Sequence, residues 1–328
     1  MIPPAPALTA GTPRRGLALA AALAVAALAA FPFAGSDFYI DFVTRMMILA
    51  LFAMSLDLLI GVAGMVSLGH AGFFGLAGYA LALLSPDSGP VSLWWSLPAV
   101  LAVSALAALL IGALVVRTRG IYFIMVTLAF SQMLYFVVHD SKLAGGSDGR
   151  YLYFKPSAAL LGTLPFDLEA KRTFYWFVLV CVVLCYLFLR RLLGSPFGRA
   201  LAGIRINEHR MRALGFGTGG YKLAAFTLSG TLAGLAGYLW AAQTGFVNPE
   251  LLGFHQSAAV IMMVILGGPG QFAGAALGAF AYEGLLFYFK DVSKHWQLLM
   301  GGLIVLLVLF APRGLMGLLD RLRGRAPT

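Results

Sequence analysis

The sequence predicts an all-α integral membrane protein with about ten transmembrane helices, some of them short or broken. Three observations carry this. Of 328 residues, 60% are hydrophobic and 11% charged. Soluble domains carry about 25% charged residues, so this chain has too little polar surface to coat a water-soluble globule. The apolar residues also fall in runs close to the roughly 20 residues that a helix needs to cross a bilayer. Finally, the basic residues are shared unevenly between the connecting segments, as cytoplasmic and external loops share them.

Candidate spans cover residues 16–34, 38–62, 66–84, 92–116, 120–138, 173–189, 220–243, 250–266, 271–289 and 295–311. The first follows Arg14-Arg15 and is alanine-rich. It outruns the roughly 7–15 apolar residues of a secretory signal core, which predicts a retained helix. The third is short and glycine-rich. The eighth and ninth form one apolar run divided by Gly267-Gly268-Pro269-Gly270.

Charge settles the count. With the N-terminus inside and ten spans, inner segments hold fourteen bases and two acids, and outer segments seven bases and eight acids. Fusing 250–289 into one span would turn the arginine-rich end outward, against the positive-inside bias. Residues 267–270 are therefore read as a cytoplasmic turn or a break near that face. The plan is a cytoplasmic tail over 1–15, one membrane domain over 16–311 and a basic cytoplasmic tail over 312–328.

Two hydrophilic segments exceed simple connectors. The outer one, 139–172, contains Gly145-Gly146-Ser147-Asp148-Gly149. The inner one, 190–219, carries helix signals: Ser195-Pro196 provides a cap and a first-turn proline, and Gly215 a stop. The spacing predicts one helix over about 199–214. At about 100° per residue, Phe197, Leu201, Ile204 and Met211 share an arc, with Arg199 and Arg210 opposite. A basic amphipathic helix suits an anionic lipid surface or a partner's groove, and the residues alone favour neither.

Catalytic and cofactor signals are missing from the sequence. It has no phosphate-binding Gly-Lys pair, no His-Glu-x-x-His, and five scattered histidines, so no catalytic, cofactor or metal site is expected. Cys181 and Cys185 share one face of an apolar helix and read as small buried residues. The net charge of +10 reflects cytoplasmic loops rather than nucleic acid, because no basic stripe interleaved with aromatics is present.

Glycines mark a candidate functional segment. Val66–Tyr79 places Gly69, Gly72, Gly75 and Gly78 three apart, which permits either close helix packing or a break beside a wet cavity. Ser229-Gly230, Gly234 and Gly237 read as packing. Asp57, His70, Gln132, Gln243 and Glu283 lie at membrane depth, where polar groups are expensive. Asp41 and Arg45 are spaced for an i,i+4 pair.

Together Val66–Tyr79, Arg117–Leu134, Gly145–Gly149, Ser195–Gly215, Gly245–Ala279 and His295–Leu319 resemble the second membrane subunit of bacterial branched-chain amino-acid ABC transporters, the LivM family. The resemblance implies a type II-importer-like permease in the bacterial inner membrane, both termini cytoplasmic. Its implied partners are a second, LivH-like permease subunit, two ABC ATPase subunits and a periplasmic solute-binding protein, within membrane lipid. It implies ATPase coupling through 195–215, with Leu201, Ile204 and Met211 for apolar contact and Arg205, Glu208 and Arg212 for orientation. Ser67, Gly69, His70, Gly72, Gly267 and Gly268 are expected to line or gate the route. Urea, short amides or aromatic acids are alternative cargoes. An ion-coupled secondary carrier is the alternative class, and it would lean on Asp57 and Glu283.

Overall fold

The helix at the centre of the protein is its second. In the computed structural model, which describes residues 15–86, 88–159, 167–311 and 314–317, α1 (Arg15–Ala34) precedes α2 (Asp37–Asp57). From Met46 to Leu59 every residue is buried. A run of Met, Ile, Leu, Ala and Phe with no polar face can be satisfied only inside other helices. α2 continues as a π-helix over Leu58–Ala63, then the chain is non-helical until α3 (His70–Leu84). The third span expected from residue 66 thus begins at His70, because 64–69 is the break.

α4 (Leu93–Val115) and α5 (Ile121–His139) pack on α3, and α6 (Lys171–Gly194) packs on α2. These three leave most of their apolar surface exposed, as lipid-facing helices do. α6 extends past the expected end at 189 and runs into α7 (Pro196–Ile206) and α8 (Glu208–Ala213). The long α9 (Thr218–Thr244), the short α10 (Phe254–Gly267), α11 (Phe272–Val292) and α12 (Trp296–Phe310) complete the chain. Among the described residues, six helices are long and apolar enough to cross a membrane. Four shorter apolar helices, at Leu23–Phe33, His70–Leu84, Phe254–Gly267 and Trp296–Leu307, coincide with the other four expected spans. Residues 1–14 and 318–328 of the two expected tails lie outside the described residues.

Glycine sets the helix spacing. A β-carbon on Gly237 of α9 would collide with the Phe74 carbonyl of α3, and one on Gly230 would sit 2.6 Å from the Ala108 side chain of α4. The α9 glycines are therefore packing residues, as the sequence suggests. α10 and α11 form a hairpin just as tight. Gly267 abuts the Gly274 carbonyl and Gly278 the Met263 carbonyl. Between them, Gly268 and Gly270 adopt φ of 106° and 92°, a region that side chains disfavour. The Gly267–Gly270 segment is thus a complete turn.

The outer loop is ordered by pairing. β1 (Arg150–Tyr151) runs antiparallel to β2 (Phe246–Val247), with Arg150 opposite Val247 and Tyr151 opposite Phe246. Gly149 packs directly on the Val247 carbonyl, which explains the glycine ending the 145–149 motif. Cys181 and Cys185 are free thiols on α6, half-buried and buried.

Candidate translocation and coupling site

The break between α2 and α3 concentrates the polar chemistry. Non-helical backbone at membrane depth must find partners within protein or water, and here side chains from two other helices and from the break itself supply them. The Leu68 amide donates to the Thr127 hydroxyl of α5 at 3.2 Å. The Gly69 amide donates to Ser67 Oγ at 3.2 Å, and the Ala71 amide to Ser257 Oγ of α10 at 3.1 Å. Gly69 is needed because a β-carbon there would collide with the Thr127 carbonyl. Ser131 of α5 donates to the Leu252 carbonyl at 2.8 Å, which fastens α5 to the turn before α10.

His70 opens α3 and is fully buried. Its Nε2 lies 3.2 Å from Ser55 Oγ and 3.0 Å from Ser229 Oγ. Both hydroxyls spend their single proton on backbone carbonyls, those of Phe52 and Ser55. Nε2 must then carry the imidazole proton and donate it. Nδ1 has no partner among the described residues. Phe52 stacks on the ring, with centroids 6.0 Å apart.

A second junction lies at the C-terminal end of α2, beside the 190–219 segment. Asp57, at the end of α2, accepts from the Gly270 amide at 2.7 Å. A β-carbon on Gly61 would collide with Gly270. The break and the α10–α11 turn therefore touch backbone to backbone. Arg205 of α7 joins the same point, donating from Nη1 to the Gly61 carbonyl, while its aliphatic stem lies against Gly64. The inner loop is thus bonded to the π-helical end of α2, which itself abuts the α10–α11 turn.

The inner loop itself departs from the single helix expected over 199–214. It is two helices, α7 and α8, divided at Asn207. Asn207 has extended backbone, and its side chain accepts from the Arg210 amide at 2.9 Å, capping α8. Ser195 caps α7 by accepting from the Gly198 amide at 3.3 Å. The expected apolar seat is also corrected. Leu201 and Ile204 are buried inside the subunit, at 0% and 4% exposure, because α7 packs beneath the π-helix and α6. Met211 is half-buried against Gly203. The apolar side chains that do face outward are Ile206 at 74%, Leu214 at 67% and Phe216 at 39%.

Glu208 organises the charges of this loop. Its carboxylate pairs with Lys222 at 2.6 Å, Arg212 at 2.7 Å and Arg119 at 3.4 Å, and accepts from Thr218 at 3.1 Å. Partial burial pushes this carboxyl up, but the bonds from Lys222 and Thr218 and the nearby cations outweigh it and hold it below its ordinary value. Arg212 and Glu208 are thus tied to each other and to α9.

Residues 38–309 match the family described as "Branched-chain amino acid transport system / permease component". The chain belongs to this family. The permease is 33% identical to the high-affinity branched-chain amino acid transport system permease protein LivM of Salmonella typhimurium, over 95% of this chain and 77% of that relative. Its identity to LivM of Escherichia coli is also 33%, with the same coverage. It is 31% identical to a probable branched-chain amino acid transport permease protein LivM of Methanocaldococcus jannaschii, over 43% of this chain and 46% of that one. No solved structure matches the permease.

Of the residues expected to line or gate the route, Ser67, Gly69, His70, Gly72, Gly267 and Gly268 are all buried within the subunit. In this structure they pack rather than line an open surface. Asp57 and His70, singled out by depth, do sit at the two junctions. The expected Asp41–Arg45 pair is replaced by long-range partners. Asp41 pairs with Lys171 of α6, and Arg45 with Glu283 of α11 at 3.7 Å. Sequence reasoning missed Ser55, Thr127 and Ser257 and read Ser229 as packing only, since hydroxyls within apolar runs are unremarkable until helices from distant parts of the chain meet.

Proposed function

We propose that the permease is one of two homologous membrane subunits of an ATP-driven importer for branched-chain or related amino acids in a bacterial inner membrane. Two separate ATPase subunits dock on its cytoplasmic loop at 195–215, and a periplasmic binding protein delivers the cargo. Family membership supports the transport role. The observation that carries the coupling reading is the joint at Gly61, where Arg205 from the inner loop meets the broken end of α2, and Gly270 with it. A push on α7 reaches both breaks without passing through a flexible linker. Ten spans with both termini cytoplasmic fit the charge distribution and the six long and four short apolar helices.

The docking surface in this reading is the exposed edge at Ile206 and Leu214, which lie among charged residues in a loop that faces water. Burying one such side chain is worth roughly 1.5–3 kcal/mol, so two polar replacements weaken docking by about a hundredfold or more. The test is Ile206→Glu with Leu214→Glu. The permease is expected to insert normally, ATPase subunits to stop co-purifying, and leucine uptake to cease. Normal co-purification with substrate-stimulated ATP hydrolysis would overturn this docking assignment.

A further inference from the structure

A second feature lies at the opposite end of α10, and the inference from it rests on the importer reading above. α10 has 14 residues, about 21 Å of helix at 1.5 Å per residue, against a hydrocarbon core of about 30 Å. It cannot cross alone. The shortfall at its outer end is made up by β2 and a single 3₁₀ turn, Pro249–Leu252. Irregular backbone of this kind persists near the membrane only within protein or beside water. Here it borders a cavity of about 340 Å³, within the range of about 300–1,000 Å³ for small-molecule sites.

The lining of this cavity has two characters. Trp240, Phe246 and Leu251 form an apolar wall, and Thr244, Asn248, Glu250, His255 and Gln256 supply polar groups. Glu250 is exposed and has no ion pair among the described residues. Arg45 lies over the Trp240 ring, 4.8 Å from its centroid. An unneutralised carboxylate, two amide groups and an aromatic–aliphatic wall share one concave surface. We propose that this pocket is a reception site for a small zwitterion with an apolar side chain. Glu250 takes the ammonium, the amides of Asn248 and Gln256 take the carboxylate, and Trp240 and Leu251 cover the aliphatic part. The permease then inspects its cargo once more after delivery and rejects carboxylic acids that lack an ammonium.

The test uses the purified, assembled transporter without binding protein, and a diazirine analogue of leucine as photoprobe. Labelling is expected on peptides within residues 240–256, displaced by leucine but not by 4-methylpentanoate. Glu250→Gln should raise the leucine concentration needed for displacement about tenfold, the scale of one charge-assisted hydrogen bond. Glu250→Asp should retain most of the displacement, which a merely structural glutamate would not predict. Label elsewhere, label that leucine does not displace, or unchanged displacement in Glu250→Gln would overturn the site. Leucine uptake by the complete wild-type system separates the two readings. Uptake without displaceable label fells the pocket alone, and no uptake fells both.

Discussion

Arg205 and Gly61, 144 positions apart, are joined by a hydrogen bond from guanidinium to carbonyl. The bond places the inner loop against the π-helical end of α2, where a helix has already surrendered its regular pairing. It ties the loop surface directly to the buried core of the subunit.

Replacing that guanidinium should therefore uncouple the machine rather than dismantle it. In Arg205→Ala, ATPase subunits are expected to remain bound while leucine uptake falls at least about tenfold, the worth of a hydrogen bond from a charged donor. Arg205→Lys should rescue only partly, since a point charge cannot reproduce the planar fork. Uptake and substrate-stimulated ATP hydrolysis measured side by side check this. Unchanged uptake in Arg205→Ala would remove the joint from the mechanism.

Glu208 gives the loop a pH dependence of definite sign. Its carboxyl is held below the ordinary value of 4.5, so the folded loop favours the ionised form. That stabilisation is fully present above the ordinary value and disappears as pH falls through the depressed one. The cluster with Lys222, Arg212 and Arg119 should thus be insensitive from neutrality down to about pH 5 and loosen only in stronger acid. Glu208→Gln should loosen it at neutral pH. Hydrogen exchange of the amides over 205–222 reads both, and equal protection in wild type and variant at pH 7 would contradict the assignment.

Gly69 and Gly72 should respond unequally to alanine. At Gly69 the added carbon meets the Thr127 carbonyl, which is backbone and cannot turn aside. At Gly72 the nearest atoms are side-chain atoms of Leu134 and Ser131, at 3.2 Å. Gly69→Ala should lower the thermal midpoint of the solubilised permease by several degrees and reduce assembly, while Gly72→Ala should stay close to wild type. Thermal unfolding followed by size-exclusion chromatography would settle the comparison, and equal tolerance at both positions would show that α5 yields.

Orientation is open to labelling. With Cys181 and Cys185 replaced, a cysteine at Tyr153, which is 70% exposed, should react with an impermeant maleimide from outside. One at Leu214, 67% exposed, should react only after the membrane is opened. The reverse pattern would invert the topology derived from the arginines.

The sequence made the helices legible because lipid demands long apolar runs, and the loops because charge cannot stay in lipid. It made the Gly267–Gly270 turn legible because glycine and proline interrupt an otherwise unbroken run. The division at Asn207 was harder to see. No glycine or proline stands there, and the helical period continues across it, although Asn207-Glu208 is a fair cap and first-turn pair. The direction of the apolar arc on α7 was not legible at all. Period shows that Leu201 and Ile204 share a face, but only the position of the π-helix shows that the face looks inward. Arg45 offered the same lesson, since Glu283 outcompetes the nearer Asp41 from a helix more than two hundred residues away.

The α10–α11 hairpin is held where Gly267 meets the Gly274 carbonyl and Gly278 meets the Met263 carbonyl, with backbone set against backbone. Side chains can change rotamer and so absorb a small displacement as play, but such contacts have no rotamers to change. The hairpin is consequently a lever without slack. In the importer reading proposed above, a tilt delivered to Gly270 by Asp57 would pass along α10 as through one stiff arm.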